Sequence, residues 1–450
     1  MISPAFPTWT SPCGRATIHH GDCLDVMRSM PDGSVDAVVT DPPYGLEFMG
    51  KEWDAPWKQG FAEFGMKDGN RRAAPVFGSK RNPCCRTCRK HKRETKRCGC
   101  PTPDFDETPA TFAQSFGSWC ETWSIEALRI AKPGAHLLAF GGTRTFHRLT
   151  CAIEDAGWEV RDCLSWLYGS GFPKSHNGPW GGTALKPAWE PVVMARKPLI
   201  GTVAANHAAH GTGALNIDGC RIATTDAYSY PNGPGGHVAP TSLGMRKDGT
   251  SSLRRETPVE SNPLGRWPAN VLLDEDAAAA LDEQSGVSTS NDPGTTHVND
   301  PYFGLKGERR NAGYDGDFGG ASRFFYTSKA SRAERNAGLD GFPEEMPDNA
   351  VDRAAARAGL EGRGRGRGSL SKPRANIHPT VKPVDLMRWL VRLVTPHGAT
   401  VLDPFLGSGT TLVAALQEGC RAIGIEREAQ YVEIAKARVA HESKQGSLFA

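Results

Sequence analysis

Long apolar runs are missing from this 450-residue sequence, and no stretch approaches the ~20 apolar residues that span a bilayer. The N-terminal stretch MISPAFPTWTSPCGR also lacks the basic start and apolar core of a signal peptide. Both absences predict a cytoplasmic protein without a membrane partner. In that compartment the 12 cysteines are expected to be thiols or metal ligands rather than disulfides.

A strong charge imbalance is missing as well, since 53 Lys and Arg residues face 50 Asp and Glu residues. The resulting net charge of +3 permits a nucleic-acid partner without requiring one. What the sequence does have is glycine and proline, 51 and 33 residues respectively, which predict many loops. A hydrophobic fraction of 38% still provides enough apolar side chains for a packed core.

Regular secondary structure is predicted in three stretches, 15–45, 119–197 and 376–442. Apolar strand patterns such as VDAVVT alternate there with helical patterns such as KPVDLMRWLVRLV, which predicts an α/β fold with a parallel sheet. The helix WCETWSIEALRIAKPG is predicted to end near Pro133–Gly134. The remaining segments are a basic, cysteine-rich insertion at 46–118, an irregular region with a linker at 198–375, and a tail at 443–450.

The stretch VVTDPPYG, residues 38–45, joins an apolar strand to a stiff turn. Because proline cannot continue a central strand, the strand is predicted to stop at Thr40. Pro42 and Pro43 restrict the backbone and display Asp41 and Tyr44 at the strand end. For these four residues alone, an ordinary Pro-Pro turn is an equally good interpretation.

The stretch LDPFLGSGTT places a second acid, Asp403, at a strand end before a glycine loop that opens a helix. The next strand ends at another acid, Glu426. Glycine lets the backbone approach a ligand closely, and a glycine loop followed by such an acid is typical of a site for a nucleotide-like ribose. The loop lacks the Lys of a triphosphate-binding loop and lacks G-x-G-x-x-G, so a ligand without phosphates is favoured.

Together, DPPYG and DPFLGSGTT resemble the motifs of the amino-directed DNA methyltransferases, and their order resembles the permuted beta group of that family. The resemblance covers residues 15–45, about 120–197 and 376–440. It implies a Rossmann-like, mostly parallel seven-stranded sheet with helices on both faces and a bacterial or phage-encoded protein. It also implies S-adenosylmethionine as cofactor and double-stranded DNA as partner. Residues 198–375 resemble a target-recognition region by position only.

The resemblance assigns the catalytic motif to Asp41, Pro42, Pro43 and Tyr44. In such enzymes the acid and the first proline carbonyl accept hydrogen bonds from the exocyclic amino group of a flipped base, and the aromatic ring stacks on that base. Adenine N6 is the first candidate target, because cytosine-N4 members more often carry Ser in place of the acid. Three alternatives remain, namely cytosine N4, methylation of RNA or a protein amide, and a DNA-binding protein that has lost catalysis.

On the cofactor side, the resemblance matches Asp22 to the adenine end, Glu426 to the ribose, and Thr380 and Lys382 to the methionine portion. The remaining residues that match the cofactor motif are Asp403, Phe405, Gly407, Gly409 and Thr410. For His378, beside Thr380, a packing or capping role is an equal alternative.

Four cysteines in the insertion, Cys85, Cys88, Cys98 and Cys100, have a spacing that suits tetrahedral zinc. Unligated thiols are the alternative, and Cys84 and His91 are substitute ligands. Seven cations share this segment, and they fit contacts with DNA phosphates better than a merely solvated face.

The tail contains QGSLF, Gln445–Phe449, which resembles the pentapeptide that docks bacterial replication proteins on the sliding clamp. Packing of these residues back onto the core is the alternative interpretation.

Overall fold

The structure is a computed structural model. It describes residues 6–45, 112–169, 171, 179–182, 184–224, 227–230, 259–260, 262–289, 296–300, 305–309, 314–315, 317–329, 332–344 and 375–446. The chain forms two compact units. The first unit comprises Met1–Trp166, Trp189–Asn216 and Lys329–Ala450, and the second comprises Leu167–Ala188 and Ile217–Ser328.

The helices of the described residues are α1 Cys23–Ser29, α2 Phe112–Ile130, α3 Phe146–Asp155, α4 Val203–His210, α5 Glu275–Ser285, α6 Arg332–Asn336, α7 Val384–Val394, α8 Thr410–Gln417 and α9 Ala429–Gly446. The strands are β1 Thr8–Thr10, β2 Ala16–His20, β3 Val35–Thr40, β4 Ala131–Phe140, β5 Glu159–Leu167, β6 Trp189–Arg196, β7 Ala227–Tyr230, β8 Val259–Glu260, β9 Val271–Asp274, β10 Ser288–Thr289, β11 Thr296–Asp300, β12 Leu305–Arg309, β13 Tyr314–Asp315, β14 Phe318–Gly319, β15 Tyr326–Ser328, β16 Thr400–Asp403 and β17 Arg421–Glu426. Two short 3-10 turns lie at Asp218–Cys220 and Ala321–Phe324.

The sheet of the first unit has the strand order β1-β2-β17-β16-β3-β4-β6-β5. Its five central strands, β2, β17, β16, β3 and β4, are parallel to one another. β1 is antiparallel to β2, and β6 is antiparallel to β4. The predicted Rossmann-like, mostly parallel sheet is therefore confirmed, and the described residues of this unit contribute eight strands to it where seven were predicted.

The central strands lie in one core, which explains their continuous apolar sequences. All six residues of β3 are buried, as expected for a strand covered on both faces. Large aromatic side chains of α2, including Phe116, Trp119 and Trp123, pack into the same cluster as Leu402 and Ile425. The segments that carry the two predicted motifs thus share one hydrophobic core, and they are held by burial rather than by chain proximity.

The boundary between α2 and β4 differs from the prediction. The helix ends at Ile130, and Ala131 already pairs with Val35 in the parallel ladder. The ladder then shifts register before Ala37 pairs with His136, so Pro133 lies at an irregularity where its missing N–H is tolerated. Strand pairing therefore overrides the helical pattern. At its other end α2 begins at Phe112, so residues 112–118 of the predicted insertion are helical.

The second unit is built from short elements. β9 and β15 are parallel neighbours, and the other pairs are β7 with β8, β7 with β13, β10 with β14, and β11 with β12. α5 is capped by Asp274, whose carboxylate accepts a hydrogen bond from the Ala277 amide at 2.7 Å. The predicted boundary at residue 198 falls inside the first unit, which also contains 198–216 and 329–375.

Within the part of the chain that the structure describes, no helix combines the length and apolar character needed to cross a membrane.

Candidate active site

Four neighbouring parallel strands of the first unit carry an acid at or just beyond their carboxyl ends. Along the sheet order β2, β17, β16 and β3, these acids are Asp22, Glu426, Asp403 and Asp41. The carboxyl ends of parallel strands meet at one edge of a sheet, which is where ligands of open α/β folds bind. The Thr40 hydroxyl donates to Asp403 Oδ1 at 2.6 Å, across 363 positions of sequence. The two predicted motifs are therefore adjacent.

The two carboxylate oxygens of Asp41 differ in their partners. Oδ2 accepts a hydrogen bond from Lys382 Nζ at 2.7 Å. Oδ1 is buried, and none of the described residues donates a hydrogen bond to it. Burial raises the pKa of Asp41, the Lys382 ammonium opposes this, and the Glu190 carboxylate adds to it. A buried acceptor without a donor is costly in itself and fits a ligand that brings an N–H group.

Lys382 connects Asp41 to two further side chains. Its Nζ lies 3.0 Å from the Tyr44 hydroxyl and 3.1 Å from Glu190 Oε2, and the Tyr44 hydroxyl donates to the same Glu190 oxygen at 3.0 Å. The Lys382 side chain is only 9% exposed. Burial alone disfavours its charged form, but Asp41 and Glu190 outweigh burial and raise the pKa of Lys382. The sequence predicts that Lys382 contacts the methionine portion of the cofactor. In the structure its ammonium contacts the side chains of Asp41 and Tyr44.

Glu190 was missed by the sequence analysis. It lies in β6, in the sequence WEPVVMAR, whose following residues are buried. The available signal was an acid inside an otherwise apolar strand pattern, since such an acid is rarely buried without a cationic partner.

The turn after β3 is held in place by contacts with residues from other segments of the chain. The Thr145 hydroxyl donates to the Tyr44 carbonyl at 2.6 Å. Gly45 has φ +68°, and a Cβ at this position would lie 2.6 Å from the Phe116 ring, so only glycine fits. Burial, together with Asp41 and Glu190, raises the pKa of Tyr44 well above its ordinary value, which keeps the hydroxyl a neutral donor.

Asp403 holds the start of the glycine loop. Its Oδ1 accepts from the Phe405 amide at 3.0 Å, and its Oδ2 accepts from the Thr411 hydroxyl at 2.5 Å. Burial raises the pKa of Asp403 to about 6, while these hydrogen bonds work in the opposite direction. The acid therefore fixes the loop geometry.

Gly407 is the tightest point of the loop. Its φ is +54°, and a Cβ would lie 2.8 Å from the His378 ring, so neither the backbone nor the space admits a side chain. The Gly407 amide donates to Glu426 Oε2 at 2.7 Å, and the Glu428 amide donates to Oε1 at 2.8 Å. Burial raises the pKa of Glu426 to about 7 despite these two hydrogen bonds.

The other predicted cofactor residues have identifiable contacts. Asp22 caps α1 by accepting from the Leu24 amide at 2.9 Å. The Phe405 ring lies 5.5 Å from the rings of Trp119 and Trp123. Thr380 is exposed at the segment before α7.

The glycine loop also has a buried support that sequence reasoning missed. Arg438 of α9 donates through Nη1 to the Ser408 carbonyl at 2.7 Å and to the Thr410 hydroxyl at 3.0 Å. Its side chain is buried, and burial lowers the pKa of Arg438 to about 10. Gly409, another predicted cofactor residue, provides the N-cap of α8 in this supported segment.

At this sheet edge, Asp41 Oδ1 beside the Tyr44 ring accepts no hydrogen bond from the described part of the chain, and the Gly407 amide of the adjacent glycine loop donates to Glu426. Comparison with known proteins agrees with this arrangement, since the N6/N4 methyltransferase family model, described as DNA methylase, matches residues 35–437. The chain belongs to this family.

Individual relatives match shorter parts. The chain is 24% identical over 218 residues to the type II methyltransferase M.HindIII of Haemophilus influenzae, covering 44% of this chain and 64% of that protein. It is 52% identical over 63 residues to the putative methylase YubD of Escherichia coli, covering 14% of this chain and 28% of that protein. The match thus spans less than two thirds of each relative. Among solved structures, the cytosine-N4-specific PvuII DNA methyltransferase has a TM-score of 0.43 at 12% identity, covering 98% of this chain and 96% of that one.

Two predicted features lie wholly or partly outside the described residues. The cysteines proposed as zinc ligands, Cys85, Cys88, Cys98 and Cys100, all fall in the stretch 46–111. The tail motif Gln445–Phe449 extends beyond residue 446, where the described residues end.

Proposed function

We propose that the protein transfers a methyl group from S-adenosylmethionine to the exocyclic amino group of a base flipped out of double-stranded DNA. Adenine N6 is the first candidate target. The observation that carries the proposal is Asp41 Oδ1, which is buried and receives no hydrogen bond from the described residues. It lies beside Tyr44 at a strand end adjacent to the glycine loop.

The first unit fits S-adenosylmethionine. At Gly407, the positive φ and the nearby His378 ring exclude a side chain, so the loop presents only main chain there. In this proposal Glu426 binds the ribose hydroxyls and Asp22 meets the adenine end, while Asp403 holds the glycine loop that carries the cofactor motif. The remaining residues proposed for this site are Thr380, Phe405, Gly407, Gly409 and Thr410. When bound, the cofactor supplies an electrophilic methyl group on a sulfonium centre.

Asp41 and Pro42 perform the part of the chemistry that the protein must supply. The lone pair of an aromatic amino group is conjugated into the ring, so the group is a poor nucleophile. Asp41 Oδ1 and the Pro42 carbonyl would each accept one N–H bond, which directs the nitrogen lone pair toward the incoming methyl group. The nitrogen–carbon bond would form as the methyl–sulfur bond breaks and leaves its electron pair on a neutral thioether, and Asp41 Oδ1 would accept the proton that the cationic nitrogen then loses. No covalent bond to the protein is needed.

Tyr44 and the second unit supply the DNA contacts in this proposal. Flipping a base costs a few kcal/mol, and stacking on an aromatic ring returns ~1–3 kcal/mol. In the second unit, the Arg221 guanidinium lies 5.3 Å from the exposed Trp267 ring, and Arg266 and Arg323 lie 4.7 and 4.3 Å from the Phe324 ring. Exposed aromatic rings with stacked arginines are suited to nucleotides, which supports a target-recognition role for this unit.

Cytosine N4 is the second candidate, because its amino group would meet the same two acceptors. The acid at position 41 favours adenine over cytosine within the family pattern described above. Incubating purified protein with radiolabelled cofactor and DNA, RNA or protein tests the class of substrate. Expression in a methylation-free host, followed by single-molecule sequencing, identifies the modified base. Transfer only to RNA or protein, or no transfer at all, would overturn the proposal.

Two smaller proposals concern segments that lie wholly or partly outside the described residues. Cys85, Cys88, Cys98 and Cys100 are proposed to bind one zinc ion, and elemental analysis of purified protein should give one zinc per chain. Gln445–Phe449 is proposed to dock on the bacterial sliding clamp. Deleting residues 445–450 should then abolish binding to the clamp, and an unchanged affinity for the clamp would contradict this proposal.

A further inference from the structure

We infer that Lys382 is a positioning residue for methyl transfer, and that its buried ion pair with Glu190 fixes Asp41 and Tyr44 for the incoming base. This inference rests on the proposed function. It gives Lys382 a role different from the cofactor contact that the sequence indicates, and it adds Glu190 to the site.

The hydrogen-bond capacity of Lys382 supports the inference. An ammonium group has three N–H donors and no acceptor. The structure places three oxygen atoms around Nζ, namely Asp41 Oδ2 at 2.7 Å, the Tyr44 hydroxyl at 3.0 Å and Glu190 Oε2 at 3.1 Å. Three donors and three acceptors leave no N–H bond of Lys382 for a methionine carboxylate.

The same contacts determine which atom of Asp41 is available. Because Lys382 engages Oδ2, the carboxylate cannot rotate freely, and Oδ1 is left as the acceptor for the base. Glu190 accepts from both Lys382 and Tyr44, so it couples the acceptor to the stacking ring. A displacement of about 1 Å in such a group can cost about 100-fold in rate.

The charged side chains around Asp41 give the site a net negative charge. Two carboxylates, Asp41 and Glu190, face one ammonium, Lys382, so their sum is one negative charge. Positive charge develops on the base nitrogen during transfer, and a net negative site stabilises it. The titratable groups facing Asp41 are Lys382 from the segment before α7, Glu190 from β6, Tyr44 from its own turn and Asp403 from β16.

The test compares full-length Lys382→Met, Lys382→Arg and Glu190→Gln with the wild-type protein. The measurements are methyl transfer to DNA at different pH values, cofactor affinity by calorimetry and melting temperature. Lys382→Met should lower kcat about 100-fold with cofactor affinity unchanged, and Lys382→Arg should restore part of the rate because it keeps the charge. Lys436→Met is the matched control, because Lys436 forms an exposed ion pair with Glu433 elsewhere on α9.

The pH profile separates positioning from a merely structural role. Asp41 must be ionised to act as a full acceptor, so it contributes to the acid limb of kcat/KM. Losing Lys382 should move that limb to higher pH by about 1–3 units, whereas Glu190→Gln should move it to lower pH. The two variants thus shift the profile in opposite directions, which loss of folding cannot do.

The outcomes distinguish this inference from the proposed function. If wild-type protein transfers no methyl group, the proposed function fails. If wild-type protein is active but Lys382→Met keeps its rate and pH profile while cofactor affinity falls, the lysine binds the cofactor and only this inference fails. Should Lys382→Met not fold, Glu190→Gln still decides, because an acid limb that stays in place or moves to higher pH in that variant would contradict the inference.

Discussion

The two units place their large apolar side chains differently. Among the described residues, the strongly exposed ones of the second unit are Trp180, Leu185, Leu264, Trp267, Val287, Phe318 and Phe324. Those of the first unit are Ile125, Val160, Ile200 and Val203, none of them aromatic. The first unit buries its aromatic side chains, as Trp119 and Trp123 illustrate. Exposed rings of this kind commonly mark interaction surfaces rather than stability.

The polar groups show the complementary difference. The first unit gathers buried acids at one sheet edge, where two of them, Asp403 and Glu426, have pKa values raised by burial to about 6 and about 7. In the second unit, the Asp317 carboxylate instead pairs with Arg266 and Arg323, which lie against Phe324. We therefore expect chemistry to depend on the first unit and contact with the nucleic acid to depend strongly on the second.

The largest effect should come from Asp41→Ala in the first unit. Removing the acceptor should lower methyl transfer by about 1,000-fold, because the amino group loses its orientation, while cofactor affinity stays unchanged. Filter-binding transfer assays and calorimetry measure the two quantities. Asp25→Ala, at an acid in an exposed pair with Arg28, is the control. Equal losses of transfer and cofactor binding would mean that Asp41 is structural.

The next effect should come from the second unit. Trp267→Ala should weaken DNA binding by ~1–3 kcal/mol through loss of a stacking surface, without changing cofactor affinity. Fluorescence anisotropy with a DNA duplex measures it. Ile125→Ala removes a large exposed side chain from the first unit and should leave DNA affinity unchanged. If both variants weakened binding equally, the contrast between the units would be wrong.

A smaller effect concerns the pH dependence of stability that results from the burial of Glu426. The folded-state pKa of Glu426 is raised from 4.5 to about 7, so the folded state binds the proton more tightly than the unfolded state. Its contribution to stability is complete below pH 4.5 and is lost as pH rises through 7. Over this window the wild-type protein should lose up to about 1.4 kcal/mol per pH unit relative to Glu426→Gln. Urea unfolding at several pH values measures the difference, and parallel curves would contradict it.

The smallest effect should come from Phe318→Ser in the second unit. Phe318 is 76% exposed, so its replacement should change the free energy of unfolding by less than about 0.5 kcal/mol. Leu402→Ala in the buried β16 should cost ~2–5 kcal/mol. Thermal melts of the two variants provide the comparison. A large loss for Phe318→Ser would show that the exposed rings of the second unit serve stability.

The sequence predicts best the elements whose pattern reflects one clear environment. Val35–Thr40 reads as a buried strand and is one, and Val384–Val394 places its predicted apolar residues on the buried face of a helix. The predicted end of α2 was wrong, because Pro133 lies at an irregularity of β4 that is set by its pairing with β3.

Residues whose roles depend on tertiary neighbours were harder to predict. Lys382 and Glu190 contact the Asp41 motif because the fold brings β6 and the segment before α7 close to it. A local sequence pattern does not predict such a tertiary contact. Arg438 shows the same limit, since its partners Ser408 and Thr410 lie on another element.

The adjacency of β3 and β16 has a consequence for biosynthesis. A ribosome makes Val35–Thr40 first, and the neighbouring strand Thr400–Asp403 leaves the exit tunnel only after the whole intervening chain has been translated. Until then one side of a strand that is wholly buried in the folded protein has no partner, and such exposure invites chaperone binding or aggregation. Premature termination before codon 400 would therefore remove the strand's neighbour together with the glycine loop that follows it, and the product would be prone to misfold.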